Sequence, residues 1–492
     1  MKKTLLFMGL LSAAASANAQ VSPNLGPWVQ VNTVNSGALA PGYRVVDIKT
    51  VSPTVSWALA EENSATGVAN FFFRTNNATG DQFDFDAITA PGGVGAYETS
   101  NITAVSANTA LAGKFPPAGV PGGGEILRTT NGGLSWTKVT NATQFSATGA
   151  FLDFVHMYDA NVGIAVGDPT LGYFEIQRTT DGGANWTRVP QGSIPPLLNA
   201  NEYSTVRSFF AKGDTLWFGS ASSNDNDPVR VFKSVNRGLN WTASPITTLT
   251  GSISRLAFKD NNNGIAYNVK VNAARTDVIA VNLIRTADGG ATWAPITPLN
   301  NGRGSFFRYD IDAVRGRYYS VGMRFPATST QTAPDNNDFG SSHSIDGINW
   351  TYLNNRQGFF ALDLIPGTGS AVAAGYAAAA TDANGVGGIY KGTITAATLL
   401  ATRDAALQSA LSVYPNPSAS GVFNVSLGST LKGSAELTVT DALGRQVKAQ
   451  TLSATAVGSK TFNLDLSSEK TGVYTLQIRT DAGLATQKIV IN

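Results

Sequence analysis

A short turn recurs along this 492-residue chain, and the spacing of its copies restricts the fold more than any other feature. The clear copies are Thr129-Thr130-Asn131-Gly132-Gly133-Leu134-Ser135-Trp136, Thr179-Thr180-Asp181-Gly182-Gly183-Ala184-Asn185-Trp186, Ser234-Val235-Asn236-Arg237-Gly238-Leu239-Asn240-Trp241 and Thr286-Ala287-Asp288-Gly289-Gly290-Ala291-Thr292-Trp293. A fifth, Ser344-Ile345-Asp346-Gly347-Ile348-Asn349-Trp350, is one residue shorter. The Asp or Asn falls at 131, 181, 236, 288 and 346, giving steps of 50, 55, 52 and 58. Periods of this length belong to propellers and solenoids. Each step holds several strand-like runs, which favours a propeller blade of four strands.

The turn has a physical logic. The Asp or Asn side-chain oxygen can cap backbone N–H groups of the loop. Glycine supplies positive φ. Tryptophan opens the next strand with a large apolar plate. Composition agrees: Gly is abundant, only 14% of residues are charged, and 42% are hydrophobic, which suits a large core of short strands and tight turns.

Two degenerate copies complete a ring. Phe73-Arg74-Thr75-Asn76-Asn77 aligns with Leu127-Arg128-Thr129-Thr130-Asn131, and Phe83 stands where a tryptophan is expected. Gly388-Ile389-Tyr390-Lys391-Gly392 reads as a third strand with no Trp strand after it. Gly26-Pro27-Trp28-Val29-Gln30-Val31 reads as a Trp strand with no third strand before it. Joining the two halves closes the ring and removes its open edges. The 372 residues from 21 to 392 then divide into seven blades of about 53. The innermost strands are expected to begin near Tyr43, Ile102, Phe151, Val206, Ile253, Phe306 and Phe359. The predicted fold is all-β: a seven-bladed β-propeller followed by a small Ig-like β-sandwich.

The S/T-x-D/N-x-G-x-x-W pattern resembles the Asp-box, or BNR repeat, of sialidases, sortilin-type receptor propellers, xyloglucan-active glycosidases and a photosystem assembly factor. The resemblance implies that the box is a structural hairpin. Asn131, Trp136, Asp181, Trp186, Asn236, Trp241, Asp288, Trp293, Asp346 and Trp350 are accordingly read as turn staples.

Both ends carry transport information. Lys2 and Lys3, the apolar run from Leu5 to about Ala15, and Ala17-Asn18-Ala19 read as a signal peptide over residues 1–19. No later segment is apolar enough to span a membrane. The propeller is assigned to 20–392, and an alanine- and threonine-rich linker to 393–410. Different material starts at Leu411: Val413-Tyr414-Pro415-Asn416-Pro417-Ser418, then Asp441-Ala442-Leu443-Gly444-Arg445, then Gly472-Val473-Tyr474, and a Gln487-Lys488-Ile489-Val490-Ile491-Asn492 end. Residues 411–492 resemble the type A sorting domain of the type IX secretion system of Bacteroidota. That implies a β-sandwich read by the outer-membrane translocon, and a protein that crosses the periplasm to be secreted or held at the outer-membrane surface. The alternating strands and Asp-containing turns support a small sandwich independently.

The chemistry is less legible. The absence of cysteine excludes disulfides, thiolate metal sites and cysteine nucleophiles. The formal charge of +2 comes from Lys2 and Lys3; without residues 1–19 there are 35 − 2 = 33 basic residues against 33 acidic ones. Such balance argues against an extended nucleic-acid partner. Arg44, Arg207, Arg255 and Arg308 fall near the starts of inner strands, and arginines converging on the axis would suit a carboxylate or sulfate. Asp47, Asp310 and Asp312 are nearby acids that could pair with them. Sialidases set three arginines around a carboxylate, with a Tyr/Glu nucleophile pair and an Asp acid. Here, however, the Phe-Arg-Ile-Pro motif is missing, and Phe73-Arg74-Thr75-Asn76 is a blade turn. Glu202-Tyr203 lies just before an inner strand and could contribute a carboxylate and a phenol to the axis; the preferred reading is a loop pair without a role. Asp310 and Asp312, two apart on one strand, would share a face with Arg308 and form either a two-carboxylate site or a surface patch. His156 and His343 are read as structural or exposed. Oxygen-rich loops at 224–227 and 335–338 lack EF-hand spacing and are read as turns. No phosphate loop, nucleotide fingerprint or serine triad is present, and no metal or cofactor is implied. The reading preferred from sequence is a binding propeller that meets a glycan or surface protein. The alternative is a secreted glycan hydrolase using an axial site of Arg44, Arg207, Arg255, Arg308 and Asp310.

Overall fold

The computed structural model describes residues 27–34, 43–64, 67–75, 77–87, 98–115, 123–147, 150–274, 276–299, 305–326, 338–353, 358–368, 371–379, 388–395, 405–427, 435–442, 446–452, 461–480 and 483–492. The predicted signal peptide lies outside them. The chain divides into two compact units, Met1–Thr395 and Ala396–Asn492.

The first unit is a seven-bladed propeller. Six sheets have four strands and one has five. The innermost strands are Tyr43–Ser52, Glu98–Ala104, Leu152–Met157, Glu202–Lys212, Arg255–Phe258, Asp310–Val314 and Phe359–Pro366. Each packs against the next, and the seventh packs against the first. In the last blade the outer strand is Trp28–Gln30, paired antiparallel with Gly388–Thr395 in the register Trp28↔Gly392. The first and last strands of the propeller unit therefore close the ring. After Val31, Asn32–Val34 add a fifth, parallel strand to the outer edge of the first blade. This second fastening had no signal in the sequence, because the segment is short and polar.

The box geometry explains its residues. Thr179 Oγ1 donates to Asp181 Oδ1 (2.8 Å) and accepts the Gly183 N–H (3.0 Å). Asp181 Oδ1 also accepts the Asn185 N–H (2.9 Å), and Trp186 Nε1 donates to the Gly183 carbonyl (3.1 Å). These bonds, the Asn185 N–H first, hold the exposed Asp181 carboxyl down to about 2. Asn131, Asn236, Asp288 and Asp346 accept the equivalent N–H groups. The second glycine of the box is constrained twice. Gly183 has φ +82°, and a Cβ there would sit 2.5 Å from Leu111 of the preceding blade. Each box is thus pressed onto its neighbour, and box tryptophans fill the seams between blades, as Trp136 does against Trp57 and Phe72.

A cation from the preceding blade fastens each of several seams. Arg74 Nη1 donates to the Ala107 carbonyl (3.1 Å), Arg128 Nε to Gly182 (2.8 Å) and Arg178 Nε to Arg237 (3.0 Å). All three precede the box Ser/Thr position by one residue. In the sixth blade that position is His343, which is buried, and the seventh blade has no continuous box turn to be fastened. Arg128→Ala is expected to cost about 1–2 kcal/mol in urea unfolding followed by tryptophan fluorescence, with Arg178→Ala similar.

The second unit has a three-stranded and a four-stranded antiparallel sheet around a core that includes Phe423, Val425, Val439, Leu476, Ile478 and Ile489. Asn416 of the Tyr-Pro-Asn-Pro segment accepts the Val490 N–H (2.9 Å) and donates to the Lys488 carbonyl (2.8 Å), fastening the start of the sandwich to its last strand. Part of the stretch read as a linker is ordered structure: Thr393–Thr395 finish a propeller strand, and Ala405–Ala410 is a short helix whose Gln408 side chain exchanges two hydrogen bonds with the Thr486 backbone. Residues 443–445 of the expected Asp-Ala-Leu-Gly-Arg turn lie outside the described residues.

Candidate functional site

The axis of the propeller is lined by polar side chains set into otherwise apolar strands. Val45-Val46-Asp47-Ile48-Lys49, Leu152-Asp153-Phe154 and Leu362-Asp363-Leu364 show the pattern. Because strand side chains alternate, one face of each strand packs into the blade and the other meets the ring.

These side chains bridge every junction between neighbouring blades. Asp47 Oδ2 accepts the Ile102 N–H (2.8 Å). Asn101 exchanges two 2.8 Å bonds with the Val155 backbone. The Ser204 hydroxyl donates to Asp153 (2.5 Å), and that of Ser208 to the Ile253 carbonyl (2.7 Å). Arg255 Nε meets Asp310 Oδ1 at 3.4 Å. Asp310 and Asp312 accept the Leu362 and Leu364 N–H groups at 2.9 and 2.6 Å. Asp363 closes the circuit: its carboxylate accepts the Thr50 N–H (2.5 Å) and meets Lys49 Nζ at 3.0 and 3.2 Å.

Electrostatics follow from this crowding. Burial pushes the Asp47 carboxyl up to about 7, opposed by Arg207 and the Ile102 N–H. Burial, with Asp363 adding to it, pushes Asp312 up to about 7 as well. Asp310 is raised by burial, against the pull of Arg255. Burial disfavours the Lys49 cation, but Asp363, Asp312 and Asp47 outweigh it and hold the ammonium above its usual range. His156 is pushed down to about 3 by burial and by Lys49, so it is a neutral imidazole.

Of the four arginines expected at the axis, Arg255 pairs with Asp310, whereas Arg207 takes a different route. Arg207 sits in a bulge where pairing lapses between Ser204 and Phe209, and its φ is +60°. That non-glycine strain, of order 1–3 kcal/mol, lets Nη1 reach the Val46 carbonyl on the opposite side of the ring. Arg255 opens its strand and also donates to the Ser254 carbonyl (2.7 Å). Arg308 does not share their register. Consecutive N–H groups of Arg308 and Tyr309 bond to Met323 and Val321, a bulge that turns the guanidinium toward the Met323 sulfur (3.6 Å) and over the Tyr309 ring. Arg308 therefore does not share a face with Asp310 and Asp312. Arg44 lies opposite Glu61 in its strand, and its side chain is outside the described residues. His343 is buried beside Arg317, and His156 packs edge-on against Tyr158. Asp227 of the 224–227 loop accepts from Ser222, Asn224 and Asn201, as a turn does, while 335–337 are outside the described residues. Among the described residues no group of three or more acidic or His side chains is placed to hold a metal ion. Lys49, Asn101, Asp153 and Asp363 escape the sequence reading; the available signal was a polar residue within an apolar inner strand.

Residues 412–492 match the family model described as the secretion system C-terminal sorting domain. The C-terminal unit is a type IX sorting domain. The chain is accordingly exported, to the cell surface or the medium, and its tail engages the secretion machinery. No helix among the described residues is long and apolar enough to cross a membrane. No curated protein matches the chain. Among solved structures it is similar to YCF48 from Cyanidioschyzon merolae, at 14% identity and TM-score 0.40, covering 75% of this chain and 98% of that one. It is similar to the GH74 xyloglucanase of Xanthomonas campestris at 12% identity and TM-score 0.34, covering 94% and 74%. It is also similar to the Trypanosoma rangeli sialidase at 9% identity and TM-score 0.40, covering 94% and 86%. No activity or ligand passes to this chain from likenesses of that degree.

Proposed function

We propose that this chain is an exported binding propeller whose partner is a glycan or a surface protein, and that its axis is a structural belt without catalytic duty. The observation that carries this reading is the engagement of three axial carboxylates, Asp310, Asp312 and Asp363. Both oxygens of Asp310 are taken, by Arg255 and the Ile311 and Leu362 N–H groups; both of Asp312 by the Ala313 and Leu364 N–H groups; and both of Asp363 by Lys49 and Thr50. A general acid or nucleophile needs a free oxygen aimed at substrate. Arg255 is paired, and Arg207 spans the ring to Val46. The axial hydrolase reading thereby loses its convergent arginines.

The test is incubation of the full chain with a panel of acidic and neutral glycans, with product release followed by mass spectrometry. No product is expected. Turnover that Arg255→Ala or Asp310→Asn abolishes, in variants that still fold, would overturn the reading.

A further inference from the structure

We propose that the short helix Ala405–Ala410 belongs to the sorting domain and guards it: the Gln408 side chain fills the pairing groups of Thr486, and so keeps the terminal strand from pairing with the same strand of a second copy of this chain. The inference concerns the sorting domain and stands apart from what the propeller binds.

The terminal strand, Gly483–Ile491, is a hazard by its place and by its sequence. It lies at the edge of the four-stranded sheet, paired with Gly472–Thr480 in an unbroken antiparallel register. Its second half, Thr486-Gln487-Lys488-Ile489-Val490-Ile491, carries one charge and no proline. An open edge of that composition is a template for another strand.

Successive residues of an antiparallel strand direct their N–H and C=O groups to opposite sides. The bonds made by Thr486, Lys488 and Val490 show that these residues face the open side. Asn416 Oδ1 accepts the Val490 N–H (2.9 Å), and its Nδ2 donates to the Lys488 carbonyl (2.8 Å). The Ser418 N–H donates to the Val490 carbonyl (2.9 Å), and its own carbonyl accepts the Asn492 N–H (3.0 Å). At Thr486 the partner comes from the helix. Gln408 Oε1 accepts the Thr486 N–H (3.0 Å), and Nε2 donates to the Thr486 carbonyl (2.9 Å). A side-chain amide holds an acceptor and a donor side by side, so one glutamine meets both groups that a residue of an added strand would meet. The helix packs beside the terminal strand and keeps that amide half-buried in place. The folded sorting unit therefore starts at Ala405, before residue 412 where the family match begins.

A second copy fits the site that Gln408 covers. Two identical strands can pair about a two-fold axis, each supplying what the other lacks. Centred on Thr486, such pairing sets Thr486 against Thr486 as a hydrogen-bonded pair. It sets Lys488 of each copy against Leu484 of the other, so the strand's one charge meets no like charge.

The test uses the full chain. Hydrogen exchange read residue by residue is expected to show the Thr486 N–H exchanging about tenfold faster in Gln408→Ala than in the wild type. Gln408→Glu keeps the acceptor and loses the donor, and should fall between them. Light scattering behind size exclusion should give Gln408→Ala a larger mass than the wild type at equal concentration. Adding Thr486→Pro, which removes the outward N–H at an edge that tolerates proline, should restore the wild-type mass. Equal masses for the wild type and Gln408→Ala, or an increase that Thr486→Pro leaves in place, would overturn the proposal. Should Gln408→Ala fail to fold, the wild type decides. A Thr486 N–H protected at least about tenfold over an unstructured chain supports the guard, and one that exchanges as fast as an unstructured chain sinks it.

Discussion

Trp28→Ala is expected to destabilise the propeller by about 3–5 kcal/mol, the range for truncating a large buried aromatic, and to do so by opening the ring. Trp28 is only 2% exposed although it sits in a strand of three residues. Its ring meets Phe359 edge-on at 5.3 Å, and its Nε1 donates to Ser341 Oγ (3.0 Å) of the preceding blade. It lies so close over Gly392 that a Cβ there would be 2.5 Å from the indole. Three backbone pairs alone would not hold so short a strand, because ordering each residue costs on the order of 1–2 kcal/mol. The indole supplies the missing attraction. Val29, in the same strand but 67% exposed, provides the control: Val29→Ala should change stability by less than about 0.5 kcal/mol. Urea unfolding gives the energies, and limited proteolysis of the Trp28→Ala protein should cut near the freed N-terminal segment before any other seam. Equal effects of the two substitutions would show that the strand is held by its backbone instead. Gly392→Val should reproduce the Trp28→Ala result from the other side of the contact.

That closure was legible from two incomplete motifs, a Trp strand with no third strand and a third strand with no Trp strand. The blade count followed from box spacing because each box is fixed by local chemistry: Asp181, Gly183 and Trp186 make their contacts within eight residues or against one neighbouring side chain. Sorting residues were legible for a similar reason, since Asn416 binds the last strand through a short, recognisable segment. The axis resisted because its geometry depends on register. Bulges at Arg207 and at Arg308–Tyr309 rotate two arginines in ways that no local pattern announces, and a slip of one residue moves a side chain to the other face. Asp363 and Lys49 are 314 residues apart, and only ring closure makes them neighbours.

Glu202 shows how a residue suited to catalysis can serve the fold, and Arg230→Met should reveal it. The two side chains form a two-point ion pair, Nε to Oε1 at 2.9 Å and Nη2 to Oε2 at 2.8 Å, with exposures of 9% and 3%. Glu202 also accepts the Leu198 N–H (2.8 Å), while Arg230 donates to the Pro196 carbonyl and lies over the Phe232 ring. The pair thus fastens the connection between the third and fourth blades to the fourth blade's third strand. Removing the arginine strands a buried carboxylate, and breaking such a pair costs about 3–5 kcal/mol. Replacing both partners, as Glu202→Leu with Arg230→Met, removes the stranded charge and should recover much of that loss, because a well-packed apolar pair is often as stable as a buried ionic one. Equilibrium urea unfolding of the wild type, Arg230→Met and the double variant measures all three. A loss below about 1 kcal/mol for Arg230→Met would mean that water reaches Glu202, and the carboxylate would again be a candidate for chemistry. A double variant no more stable than the single one would show that the contacts to Leu198 and Pro196, not the charge pairing, hold this connection in place.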